Sequence, residues 1–125
     1  VRALHLSAEY SFSKVSCESV ELAAGLGVVG DVHSGAVVRH RSRVERDPNQ
    51  PNLRQVHLFD GEILDMLAAE GFPVTPGALG ENLTTVGLDA LSLPTGTRSS
   101  PSIMSSRAGS AWIWRTSRTR FPAFW

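Results

Sequence analysis

Side chains that can do chemistry gather on the turn-forming stretches of this chain. Residues 25–35 carry four glycines, Gly25, Gly27, Gly30 and Gly35, around one acid, Asp31, and one imidazole, His33. Glycine at that density permits positive φ and close backbone approach, so Asp31 and His33 are expected on a sharp turn rather than a helix. That turn either holds a ligand or merely joins two strands. It is not the dinucleotide fingerprint and has no Lys-Ser/Thr pair, which argues against both common phosphate loops. His40 and His57 are further imidazoles that could join His33 as metal ligands. The chain has no short ligand pair such as His-x₃-His, however, and His57, between Val56 and Leu58, reads more readily as a core histidine. Residues 76–82 form a second glycine-rich turn presenting Glu81 and Asn82, either to a ligand or to the loop's own amides. Cys17 is the only cysteine, which excludes an internal disulfide and an all-cysteine metal site. The acid beside it, Glu18, disfavours a reactive thiolate.

The elements that must position these groups follow from periodicity. Alternation predicts a strand over residues 1–7, a polar loop over 11–14, and a strand in which Val20, Leu22 and Ala24 alternate with Ser19, Glu21 and Ala23. Residues 36–38 are a short β candidate. The charged stretch 39–47 is expected to be a solvated loop or the wall of an anion-binding pocket. It lacks the aromatic interleaving of a nucleic-acid arm, and its acids cancel part of its charge. Turn chemistry fills 47–52. Residues 53–59 read as a buried strand, on which Arg54 needs Glu81 or Asp31 as partner unless it contacts a ligand. A helix follows, with Asp60 as cap, Glu62 in its first turn, and Ile63, Leu64, Leu67 and Ala68 on one face. Gly71 closes it, with Pro73 beyond. Residues 83–86 form a β-branched strand, and 91–97 a short strand running into a turn. The pattern is that of a mainly β domain with one clear helix, a β-rich barrel or an α+β domain, and not of a doubly wound sheet.

A chain of 125 residues, 42% apolar and 19% charged, suffices for one domain. It contains no apolar run of membrane-spanning length and no export signal at its start, so a cytoplasmic location is expected. Its net charge of zero is divided unevenly: all twelve acids lie in residues 1–97 against seven basic residues, whereas residues 98–125 hold five arginines, three tryptophans and no acid. Neither a strand nor a helix period holds beyond Arg98. A sequence replaced after Thr97, as by a shifted reading frame, accounts for the charge break and the lost periodicity together. The alternative is a binding tail with aromatic anchors, of which an RNA-binding tail is one form. The division expected is therefore 1–97 as a folded portion and 98–125 as a disordered tail.

In order along the chain, Ser11-Phe12-Ser13-Lys14, Gly25-Leu26-Gly27 leading into Gly30-Asp31-Val32-His33-Ser34-Gly35, Pro51-Asn52-Leu53-Arg54-Gln55-Val56-His57-Leu58, and Gly80-Glu81-Asn82-Leu83-Thr84-Thr85 with Gly87-Leu88-Asp89 resemble the MOSC domain. That module closes molybdenum cofactor sulfurases and also occurs as small stand-alone bacterial proteins. The resemblance covers residues 1–97. It implies a β-barrel of the pyruvate-kinase type, incomplete here, and association with the molybdenum cofactor in sulfur-carrier or oxidoreductase roles. The family's link to pyridoxal phosphate belongs more to the sulfurase's partner domain. By resemblance, Lys14, Asp31, His33, Arg54, Glu81 and Asn82 are the cofactor-binding positions, and the partners are a molybdopterin-type molecule and a sulfur-donating protein or molybdoenzyme, with no nucleic acid and no membrane. A polyanionic ligand also needs cations, which Lys14, Arg39, Arg41, Arg43 and Arg54 can supply, and amides on glycine turns. Family members continue past the Leu93-Pro94-Thr95-Gly96-Thr97 turn into a Pro-Cys segment whose thiol is taken as sulfur carrier or molybdenum ligand. Residues 98–125 contain no cysteine, so a non-catalytic remnant or an anion-binding module is the alternative.

Overall fold

In a computed structural model that describes residues 1–99 and 121–122, a four-stranded sheet is built from both ends of the first 97 residues. β1 (Ala3–Leu6) pairs antiparallel with β2 (Val15–Cys17), its registers running from Leu4 with Cys17 to Leu6 with Val15. A small hairpin of β3 (Leu22–Ala23) and β4 (Gly27–Val28) stands apart from that sheet. α1 (Arg41–Val44) is a single turn of helix. β5 (Leu58–Asp60) leads directly into α2 (Gly61–Ala69). β6 (Leu83–Thr85) then enters between β5, to which it is parallel, and β1, to which it is antiparallel. The resulting order is β2-β1-β6-β5, and the sheet is open, with no closed barrel among the described residues. A 3₁₀ turn at Ala90–Ser92 follows, and β7 (Arg98–Ser99) pairs with β8 (Phe121–Pro122).

The core forms where the sheet meets the hairpin. Leu4, Val20, Val28 and Leu83 are buried together, with Leu6, Cys17, Leu22, Val56 and Leu58 packed around them. Each fully buried side chain of this size contributes roughly 1.5–3 kcal/mol. Mixed α/β architecture with sheet predominating and one helix longer than a turn thus agrees with the periodicity, as do the strands near 3–6 and 83–85.

Several local expectations are corrected. The strand over 53–59 is reduced to Leu58–Asp60, because residues 52–55 turn back to staple the glycine segment, leaving Leu53 exposed. Arg54 is therefore off the sheet and pairs with neither Asp31 nor Glu81. Strand structure at 36–38 amounts to one bridge between Val37 and Pro51. The charged stretch is not all loop: backbone bonds from Arg43 and Val44 to the His40 carbonyl wind it into α1. The strand over 19–24 is only two residues long, while β2, polar and mostly exposed, was not foreseen. Asp60 stands at the N-cap position of α2, but its carboxylate turns away from the helix and accepts from Thr85 Oγ1 and the Ala90 amide instead. Residues 91–97 hold a 3₁₀ turn and a bend where a strand was expected. The proposed disordered tail falls on residues that lie, but for 98–99 and 121–122, outside the described ones.

Candidate functional site

Asp31 is held where the sequence placed it, on the turn after β4. Gly30 takes φ +83° and Gly35 φ +147° on either side, values that side-chain-bearing residues rarely adopt. The turn is pinned from the partner stretch: Asn52 Nδ2 donates to the carbonyls of His33 (2.8 Å) and Gly35 (3.0 Å), and Gln55 Nε2 to those of Gly25 (2.5 Å) and Gly35 (3.1 Å). Gly27 lies so close to Gln55 that a Cβ there would fall 2.5 Å from the Gln55 carbonyl oxygen. The two sequence motifs are thus one structural unit.

The Asp31 carboxylate is the hub of the site. Its Oδ2 accepts from Lys14 Nζ at 2.7 Å, Asn82 Nδ2 at 2.8 Å and the Ser7 amide at 3.3 Å, and its Oδ1 accepts from the His33 amide at 3.0 Å. The Lys14 and Asp31 side chains are 2% and 0% exposed. Burial works to raise the Asp31 pKa, but the His33 ring, the Lys14 ammonium and the amide donor outweigh it and hold the carboxyl well below the usual range. Burial pulls Lys14 downward against the attraction of Asp31 and Glu81.

Asn82 connects this hub to the sheet. Its Nδ2 also donates to the His5 carbonyl at 3.2 Å, and its Oδ1 accepts from the His57 amide at 3.1 Å. Glu81 Oε1 accepts from the Gly77 amide (2.6 Å) and Thr84 Oγ1 (3.0 Å), fixing the second glycine turn. Glu81 Oε2 and both ring nitrogens of the fully buried His5 have no hydrogen-bond partner. Glu81 and Asn82 therefore hold the loop and the sheet together, the structural alternative open in the sequence.

Next to the hub three imidazoles from distant parts of the chain meet. The rings of His33 and His40 stack at 4.3 Å between centroids, and His57 lies 5.4 Å from His33 and 5.3 Å from His40. Tyr10 meets His33 edge-on at 5.9 Å, and the Arg41 guanidinium covers Tyr10 at 4.7 Å. His33 Nδ1 faces Asp31 Oδ1 at 3.4 Å, an ion pair whenever the ring is protonated, whereas His40 Nε2 has no hydrogen-bond partner among the described residues. Burial lowers His40 below its ordinary pKa, reinforced by the charges of His33, Arg54 and Arg43. Burial, with Lys14 and the other two rings, lowers His57 to about 4. The rings are close enough to sense one another, but His33 and His40 lie nearly parallel, with an interplanar angle of 27°. A metal must lie in the plane of each imidazole that ligates it. No group of three or more His, Cys, Asp or Glu side chains arranged to hold a metal ion occurs among the described residues.

Of the six sequence-chosen residues, Lys14, Asp31, His33 and Asn82 form one contiguous cluster. Glu81 adjoins it through Gly77 and Thr84, and Arg54 acts electrostatically on His40. Sequence reasoning missed Tyr10 and His5, since neither stands in a motif. Cys17 is on β2, packed against the core, and burial raises its thiol pKa. No helix among the described residues is long and apolar enough to cross a membrane. No family model, curated protein or solved structure matches the chain.

Proposed function

We propose that this chain is a MOSC-type binding module of molybdenum-cofactor metabolism, working in the cytoplasm, whose site receives the anionic end of a molybdopterin-type ligand. The observation that carries this reading is the Asp31 hub: a buried, fully bonded Lys14–Asp31–Asn82 cluster beside which His40 Nε2 lies buried without a hydrogen-bond partner among the described residues. A proteinaceous hub so completely satisfied needs nothing from a ligand, whereas unpartnered buried nitrogens cost free energy until something bonds them. The chemistry of the donors fits a phosphate-bearing ligand: imidazole nitrogens and the Arg54 guanidinium. The proposed fold is an open portion of the family's barrel.

When bound, such a cofactor supplies the metal-centred redox or sulfur chemistry. This chain's own part is to orient it. Lys14 and Asn82 lock Asp31, Asp31 fixes the backbone at His33, and Asn52 and Gln55 hold the glycine turn in place. Binding without catalysis is the second reading, favoured by Cys17, which lies on β2 with a raised pKa and is unsuited to sulfur transfer. Both readings meet the same first experiment. The protein is purified from cells that make the cofactor, oxidised, and analysed for a released fluorescent pterin. Recovery of pterin with the parent, and its loss with Arg54→Ala and His33→Ala, is the expected result; a parent protein free of pterin even after incubation with a cofactor-donating extract would defeat the cofactor assignment.

A further inference from the structure

A cleft that shares no residue with the Asp31 site opens between the start of α2 and the turn at 87–91. It holds about 430 Å³ and is lined by the apolar side chains of Ile63, Leu88 and Leu91, with the carboxylates of Asp60, Glu62 and Asp89 among them. That volume falls in the range of about 300–1,000 Å³ usual for binding pockets. Leu91, on its wall, is 62% exposed, apolar surface left in water. Asp60 is turned inward and bonded to Thr85 and Ala90, but Glu62 and Asp89 stand exposed. Backbone amides aim these two: the Gly87 amide donates to Glu62 Oε1 at 2.6 Å and the Ser92 amide to Asp89 Oδ1 at 3.2 Å, engaging one oxygen of each pair. The cleft is therefore suited to an apolar group that carries positive charge at its edge.

The same chain contains such groups close by. Residues 55–97 hold six acids, Asp60, Glu62, Asp65, Glu70, Glu81 and Asp89, and no lysine or arginine, whereas residues 98–125 hold five arginines and no acid. The three tryptophans, Trp112, Trp114 and Trp125, fall in that basic stretch. Segment 100–120 lies outside the described residues and begins nine positions after Leu91, which tethers its start within about 30 Å of the cleft wall. We propose that segment 100–120 docks in this cleft, with its indoles against Ile63, Leu88 and Leu91 and its arginines against Glu62 and Asp89. Apolar surface leaves water on both sides of that contact, and each guanidinium meets an exposed carboxylate. The tether gives the segment a millimolar effective concentration, an advantage over the same segment of a second copy. The cofactor reading uses none of these residues, so either can fail alone.

Every tryptophan of the chain lies in residues 98–125, so the tryptophan emission of the full-length protein reads this stretch alone. In the folded parent, acrylamide should quench that emission about twofold less effectively than in urea. Leu91→Lys and Glu62→Lys, both at exposed positions, place a cation where the arginines would sit. Each should raise quenching by about 1.5-fold or more and move the emission to longer wavelength, with circular dichroism verifying the fold. Phe12→Lys, at a side chain 81% exposed and outside the cleft, should leave both readings at the parent's values. The readings should also be the same at about 1 and about 50 μM protein, both far below the effective concentration of a tethered segment. Quenching in the parent equal to that in urea, cleft variants indistinguishable from the parent, or a Phe12→Lys effect equal to theirs would each overturn the proposal. So would a dependence on protein concentration, which would assign the cleft to the segment of a second copy.

Discussion

The Asp31 hub and the imidazole trio touch each other yet are built on opposite principles. In the hub every oxygen of a buried carboxylate has a donor and the ammonium facing it is 2.7 Å away. In the trio only His33 has an acid against its ring, at 3.4 Å from Asp31, while His40 Nε2 is buried without a partner among the described residues and feels the charges of Arg54 and Arg43. A saturated cluster fixes geometry and resists change, while an unsaturated one is where something else can bind. The contrast makes stability the readout for the hub and ligand affinity the readout for the trio.

The strongest way to break that contrast is to unsaturate the hub. Asp31→Ala leaves the Lys14 ammonium buried without its counter-charge and removes four acceptor contacts, so chemical denaturation should show a loss of about 3–5 kcal/mol or failure to fold. Were it near neutral, the hub would not be the structural half of the pair. Gly77→Ala acts on the same scaffold from the other side. At φ +87° the new Cβ would lie 2.7 Å from both His5 Cδ2 and the Lys14 carbonyl oxygen. We expect a loss of about 2–4 kcal/mol, seen as a lower thermal midpoint.

Acid sharpens the comparison because the two regions respond in different windows. His57 titrates near 4 when folded and near its ordinary 6.5 when unfolded, so between these values the unfolded chain binds more protons. Stability therefore falls as pH drops through that window, by up to about 3 kcal/mol for this ring. Asp31, depressed in the fold, adds its loss only below about pH 4. Urea midpoints measured across the range should show two phases of decline, and His57→Asn should shrink the first, leaving the part owed to His5 and His40, which burial also lowers. A single transition below pH 4 would assign the acid response to carboxylates alone. The smallest effect belongs to neither region: Asp65→Asn breaks an exposed pair with Arg2, 2.8 Å long, and should change stability by no more than about 0.5 kcal/mol.

How much of this was legible in the sequence depended on whether the information was local. α2 has an apolar face at helical spacing, and its extent was readable to within a residue or two at each end. The Asp31 turn was readable because glycine announces positive φ. Two-residue strands such as β3, and β2 with its exposed polar face, take their structure from hydrogen bonds to remote partners and leave no period to find. The site divides likewise. Asp31, His33 and Asn82 could be chosen by residue type and turn context, but Lys14 reaches Asp31 across 17 positions and Asn82 across 51, so the hub itself was invisible. Arg54 was expected to meet either a ligand or an acid partner because the segment around it looked like a strand; the turn at Asn52 carries it toward His40 instead. The imidazoles were considered as a metal set, yet only tertiary packing shows that two of them, His33 and His40, stack.

One feature of the sheet bears on how the chain reaches this state. β1 is an interior strand, and its neighbour on one side is β6, so that the His5 amide bonds the Asn82 carbonyl 77 positions away. The beginning of the chain must wait for residues 82–85 before its sheet is complete, and the Asn82 amide that bridges to Asp31 arrives in the same step. Closing loops of that length before their contacts give any return slows folding toward the millisecond-to-second range of sheet-rich domains. During synthesis β1 can pair with β2 well before β6 emerges, but the site is assembled only when β6 joins the sheet.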